Sequence, residues 1–204
     1  MSVIKSLSVG NGDMFYINHG SDNFTIIDCC YLDEDQRDKI FEKIKELSKK
    51  KGITRFISTH PDEDHIRGLD VLDDKINILN FYVVKNSAIK NDEETDGFKR
   101  YCSLRDNSKK AFYVYKGCRR KWMNLGSDKN DCDDRGSSGI NYLWPDVENE
   151  DFKDALTQVK KGTGFNNISP ILTYSLNNGI EKLPVSPRGI IKRREINLIM
   201  LSPS

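Results

Sequence analysis

Two of the three histidines of this 204-residue chain stand at the ends of His60-Pro61-Asp62-Glu63-Asp64-His65, directly after Phe56-Ile57-Ser58-Thr59. Imidazole nitrogens and carboxylate oxygens crowded in this way suit a divalent ion, since zinc and manganese accept both ligand types. Four such side chains within six residues can converge only where the backbone is irregular, because a regular strand sends alternate side chains to opposite faces. Pro61 supplies part of that irregularity by restricting the residue before it. The spacing predicts His60 and Asp62 on one ion and Asp64 and His65 on a second or shared one, with the remaining positions left to water. The competing reading is a charged turn whose carboxylates only cap a helix opening near Ile66. A cap needs one acid and has no use for two flanking histidines, so metal binding is the favoured reading.

The elements that must hold this segment follow from periodicity. Residues 55–59 read as the strand that delivers it, 66–72 as a short helix behind it, and 76–84 as another strand rich in β-branched residues. Upstream, residues 5–28 alternate in strand fashion around Asn11-Gly12, a tight-hairpin dipeptide, and predict two or three antiparallel strands. Asp33 to Asp35 offer caps for an amphipathic helix running to about Lys50, with Ile40, Phe41, Ile44 and Leu47 on one face. Downstream, 98–104 reads as helix, 111–115 as strand, 126–139 as a polar mobile loop, 140–145 as strand, 151–161 as helix and 168–176 as strand. Strand, ligand loop, helix, strand is an α/β layout.

With these residues in place, the chain resembles the metallo-β-lactamase fold superfamily, whose signature is His-x-His-x-Asp-His between a strand and a helix. The variant with Asp at the third position, followed by a stretch like Ile66-Arg67-Gly68-Leu69, resembles the lactamase-like domain of bacterial DNA-uptake channel (competence) proteins. Val9-Gly10-Asn11-Gly12-Asp13 resembles the opening hairpin of that group, and Phe24-Thr25-Ile26-Ile27-Asp28 the strand that follows it. Ile140 to Pro145 and Asn166 to Leu172 resemble its Leu-x-Pro and Asn-x-x-Ser strands. The resemblance implies a metallo-β-lactamase-like αββα sandwich, one domain over residues 1–204, with 86–139 a variable insertion and 180–204 an atypical tail. It also implies that Asp28 orients the metal loop by accepting hydrogen bonds from its backbone, and that Asn166 and Ser169 stand near the metal site as supporting groups, the amide able to bind metal or water. The alternatives are an Asx turn at Asp28 and a turn cap at Asn166 and Ser169. The group continues with a Gly-Asp turn and a later histidine, whereas this chain has no histidine beyond His65, so the fold is expected to be incomplete at its C-terminus. A short strand from the tail, which begins at Ile180, is expected to patch an exposed sheet edge.

Lys plus Arg number 32 against 31 Asp plus Glu, a net charge of +1, so overall charge argues neither for nor against nucleic acid. No signal peptide or membrane-length apolar run is present, and a cytoplasmic protein is expected. Five cysteines without CxxC spacing (Cys29, Cys30, Cys102, Cys118, Cys132) read as reduced, mostly buried residues. His19, beside Gly20, reads as an exposed turn residue, and the cations interleaved with aromatics over Tyr113 to Trp122 as a solvated stretch rather than a nucleic-acid rim. Asp131, Asp133 and Asp134 are candidates for a missing carboxylate.

One or two zinc or manganese ions would lower the pKa of bound water to about 7 and polarise a phosphoryl or carbonyl oxygen. Asp64 would hold metal and also orient the attacking water. Asp62 in place of an imidazole makes the cup harder and more negative, which suits manganese beside zinc and an anionic substrate. Together with the DNA-uptake resemblance this favours a phosphodiester, nucleic acid included, hydrolysed by a nuclease or phosphodiesterase reaction. The alternative is a catalytically silent lactamase-like module, binding metal weakly or not at all and serving protein partners in a larger system.

Overall fold

The computed structural model describes residues 2–126 and 135–175 and the backbone of 182–185. A six-stranded mixed sheet runs in sequence order: β1 (Val3–Ser6), β2 (Phe15–Asn18), β3 (Asn23–Ile27), β4 (Ile53–Ile57), β5 (Phe81–Val83) and β6 (Ala111–Tyr113). The first three strands are antiparallel neighbours, and β3 to β6 are parallel. A second, antiparallel sheet holds β7 (Ile140–Trp144), β8 (Ile171–Ser175) and β9 (Lys182–Val185). The β9 strand joins the edge of β8 from within the tail, where an edge-covering strand is expected.

Alternation along the central strands builds two cores. Tyr16, Phe24, Ile26, Phe56, Phe81 and Val83 face the helices α1 (Glu34–Ser48), α3 (Leu69–Ile76) and α4 (Asp96–Arg105). Phe15, Ile17, Ile27, Ile57 and Tyr82 face the second sheet and α5 (Glu150–Val159), meeting Tyr142, Leu172, Tyr174 and Phe152. Strands covered on both faces need apolar residues at most positions, which β2 to β5 supply apart from Asn18, Asn23, Thr25, Thr54 and Arg55. The molecule is thus α/β, a mixed sheet with helices on one face and a second sheet on the other. Among the described residues no helix is long and apolar enough to cross a membrane.

Several boundaries differ from the sequence reading. The helix expected at 66–72 is two: α2 (Glu63–Ile66) and α3, parted at Gly68, whose φ of +81° is left-handed. The strand expected from Ile76 begins only at Phe81, because α3 runs through Ile76 and ends on Asn77 at φ +51°, with Asp73 Oδ1 taking the Ile78 amide. His19 is buried, its Nε2 2.8 Å from the Thr25 hydroxyl and its ring edge-on to Tyr174. The sheet-facing side of the β2–β3 turn, invisible to local sequence, puts it there. The described end of the 126–139 segment is pinned rather than free: Arg135 Nη1 pairs with Asp22, its carbonyl takes the Asp22 amide, and Ser138 is buried. Asp131, Cys132, Asp133 and Asp134 lie outside the described residues.

Candidate metal centre

Parallel pairing of β3 with β4 sets Ile27 against Ile57, so both chains leave the sheet at the same edge. Asp28 leaves β3 at φ +56°, a conformation Asp tolerates better than most side chains, and its carboxylate is fully buried. Its Oδ1 accepts the Thr59 amide at 2.8 Å, and its Oδ2 accepts the Thr59 hydroxyl at 2.7 Å and lies 2.8 Å from His65 Nδ1. Asp28 therefore fixes the backbone of the loop and one of its imidazoles together.

Thr59, which the sequence reading did not single out, settles the histidine tautomers. Its only hydrogen is spent on Asp28, so its oxygen can only accept, and it lies 3.0 Å from His60 Nδ1 and 3.3 Å from His65 Nδ1. Both Nδ1 atoms are thereby assigned as donors, which leaves the Nε2 atoms as bases when the rings are neutral. The Ser169 hydroxyl, 3.1 Å from His60 Nδ1, braces that ring from the second sheet. The Asn166 carbonyl takes the Ser169 amide from the 3-10 turn Phe165–Ile168, which places Ser169, and not the Asn166 amide group, against His60.

Asp62 occupies the N-cap position of α2, yet its side chain makes no capping hydrogen bond. Instead its Oδ2 lies 3.3 Å from His60 Nε2, a buried atom with no hydrogen-bond partner. One residue pair on, Asp64 Oδ2 lies 3.7 Å from His65 Nε2, and the two imidazole centroids are 4.0 Å apart. Glu63, between them, turns the other way to Lys90 and to the Thr95 hydroxyl at 2.7 Å, tying α2 to the start of α4. The hexapeptide is thus divided into two nitrogen–oxygen pairs facing one another and one carboxylate used for anchoring.

The opening hairpin closes the site from the far side. The Asp13 amide donates to the Asp64 carbonyl at 3.0 Å, and a side chain on Gly12 would put Cβ 2.4 Å from that same oxygen, so only glycine permits the approach. Burial raises the Asp13 carboxyl above its usual range, with His65 lowering it and Asp28 and Asp64 raising it further. Burial opposes charge on His65, but contact with Asp28, then Asp64 and Asp13, lifts its pKa from 6.5 to about 9. Asp13 belongs to the matched hairpin, but its nearness to the histidines required the fold.

The donor set fits a divalent ion in kind: the Nε2 atoms of two largely buried imidazoles, each beside a carboxylate, with further carboxylates behind. Each pair offers two of the four ligands zinc takes. Among the described residues no group of three or more His, Cys, Asp and Glu side chains is gathered at ligand spacing. The chain matches no family model and no curated protein sequence.

Proposed function

We propose that this chain is a divalent-metal-dependent hydrolase of the metallo-β-lactamase-like αββα type, acting on a phosphodiester with zinc or manganese. One observation carries the proposal. Asp62 stands where a helix cap is due, leaves the cap unmade, and faces the unpartnered His60 Nε2 at 3.3 Å. A turn built only to start a helix would use that carboxylate on the α2 amides, and an orphaned buried imidazole nitrogen would cost free energy for nothing.

His60 and Asp62 would hold one ion, and His65 and Asp64 a second. A bound divalent ion supplies hydroxide from water at neutral pH and polarises the phosphoryl oxygen it contacts. Thr59, Ser169 and Asp28 keep the imidazole bases pointed at the site, as the groups behind metal-bound histidines generally do. Asp64, about half exposed, would orient the attacking water and take its proton. The carboxylate-rich surround balances two ions, and an anionic phosphodiester completes the charge.

Cleavage of bis-p-nitrophenyl phosphate and of single-stranded DNA, with added manganese, tests the proposal on wild type and Asp64→Ala. A large loss in the variant is expected; equal rates would show that the activity belongs to a contaminant. A second reading rests on the single carboxylate beside each imidazole, at 3.3 and 3.7 Å: a lactamase-like module that holds metal weakly and acts by regulating or binding. Metal analysis after purification without chelator separates the two: about two equivalents support the hydrolase, and none supports the module.

A further inference from the structure

In the middle of β4, five residues before His60, Arg55 is fully buried between the two sheets. Its Nη atoms donate to neutral acceptors alone: the Thr25 hydroxyl at 3.2 Å, the Asn23 amide oxygen at 2.7 Å and the Trp122 carbonyl at 2.9 Å. Its Nε has no acceptor. Arg120 comes from the cation-rich stretch read from sequence as solvated, but its guanidinium turns inward over Phe112 and Tyr82. It gives one Nη to Asn80 at 3.2 Å while the other is buried without a partner. Both guanidiniums lie over the same Tyr82 ring, 5.7 and 5.2 Å from its centroid. The phenol of Tyr142 and the indole N–H of Trp122 are also buried without partners. Among the described residues no carboxylate pairs with either arginine.

Four unanswered donors in one neighbourhood, two of them on cations, are a marked exception to the rule that buried polar groups find partners. Desolvation weakens the Arg55 charge, and the nearby Arg120 weakens it further, with only the Tyr82 and Tyr142 phenols offsetting them. Aromatic faces and neutral acceptors offset part of this charge, but a buried cation without a counter-ion still carries a desolvation cost that an anion would reduce. Guanidinium forks match the oxygen spacing of phosphate, and a phenol and an indole add donors in other directions, as a tetrahedral ion requires. Arg120 and Trp122 reach solvent as residues, while the four unpartnered atoms themselves are buried.

We propose that Arg55 and Arg120, with Tyr142 and Trp122, form a second site that binds a small phosphate-type oxyanion between the sheets, separate from the histidine loop. The test is calorimetric titration of the full chain with inorganic phosphate at fixed ionic strength, with chloride as control. The variants are Arg120→Gln and Tyr142→Phe, chosen because Arg120 is partly exposed and Tyr142→Phe removes one unpartnered oxygen. Saturable binding at about millimolar or tighter is expected, weakened about tenfold or more by Arg120→Gln and several-fold by Tyr142→Phe. No saturable binding would overturn the proposal and assign the donors to buried water. Binding unchanged in both variants would equally overturn it, because the phosphate would then sit elsewhere, the histidine loop included.

Discussion

The surroundings of β4 beyond its C-terminal end and around its central Arg55 are opposites. At the C-terminal end, Asp13, Asp28, Asp62 and Asp64 surround two imidazoles, and His65 is raised to about 9. Around the strand's centre, neither Arg55 nor Arg120 has a carboxylate partner among the described residues, and His19 is driven down to about 3 by burial first and then by Arg55 and Lys51. The same residue type therefore titrates in opposite senses within one sheet. Each region has the charge deficit that a ligand of the other sign would fill, a cation at the loop and an anion at the arginines. Local burial alone does not explain this, since burial works against charge in both regions.

The largest effect should come from removing the carboxylate that organises the acidic end. Asp28→Ala is expected to lower unfolding free energy by about 3 kcal/mol or more in urea titrations, because a buried partner of three groups is lost. It should also drop the His65 pKa well below 9 in NMR titrations. A change under about 1 kcal/mol would mean that the loop is held by other contacts. Next, His60→Ala should weaken zinc or manganese binding by at least about a hundredfold, beyond what loss of a supporting group causes. Unchanged affinity would take the metal away from this end altogether.

The contrast in pH response is smaller and more particular. His19 stays neutral when folded, so the unfolded chain binds an extra proton between pH 6.5 and about 3. Stability should fall with falling pH across that window, by at most about 1.4 kcal/mol per unit, and His19→Gln should flatten that slope. His65 has the reverse sign: in metal-free protein its contribution is fully present below pH 6.5 and is lost as pH rises through about 9. Melting curves from pH 4 to 10 read both, and a slope unaltered in His19→Gln would count against the account of the basic region. The mildest test is Ser169→Ala, expected to cost about tenfold in metal affinity with about 1 kcal/mol or less in stability.

Much of this was legible because it is local. Four ligand-type side chains in six residues announce themselves without a fold, and the alternation of β2 to β5 and the Asp33 cap of α1 follow from nearest-neighbour rules. The break at Gly68 is also local, since glycine is the residue that takes its left-handed φ, although glycine within a helical pattern does not by itself mark a break. What the chain alone could not disclose were the meetings across distance: Ser169 with His60 is a contact between residues 109 apart, and Asp28 with His65 one between residues 37 apart. His19, Arg55 and Arg120 look like surface residues by type, and only packing of one sheet on the other turned them inward. The sequence by itself determined which chemistry was on offer at the loop and which strands would carry it. The tertiary structure decided which histidine nitrogens are bare and where charge is left unbalanced, because strand register and sheet packing, unlike local periodicity, bring distant side chains together.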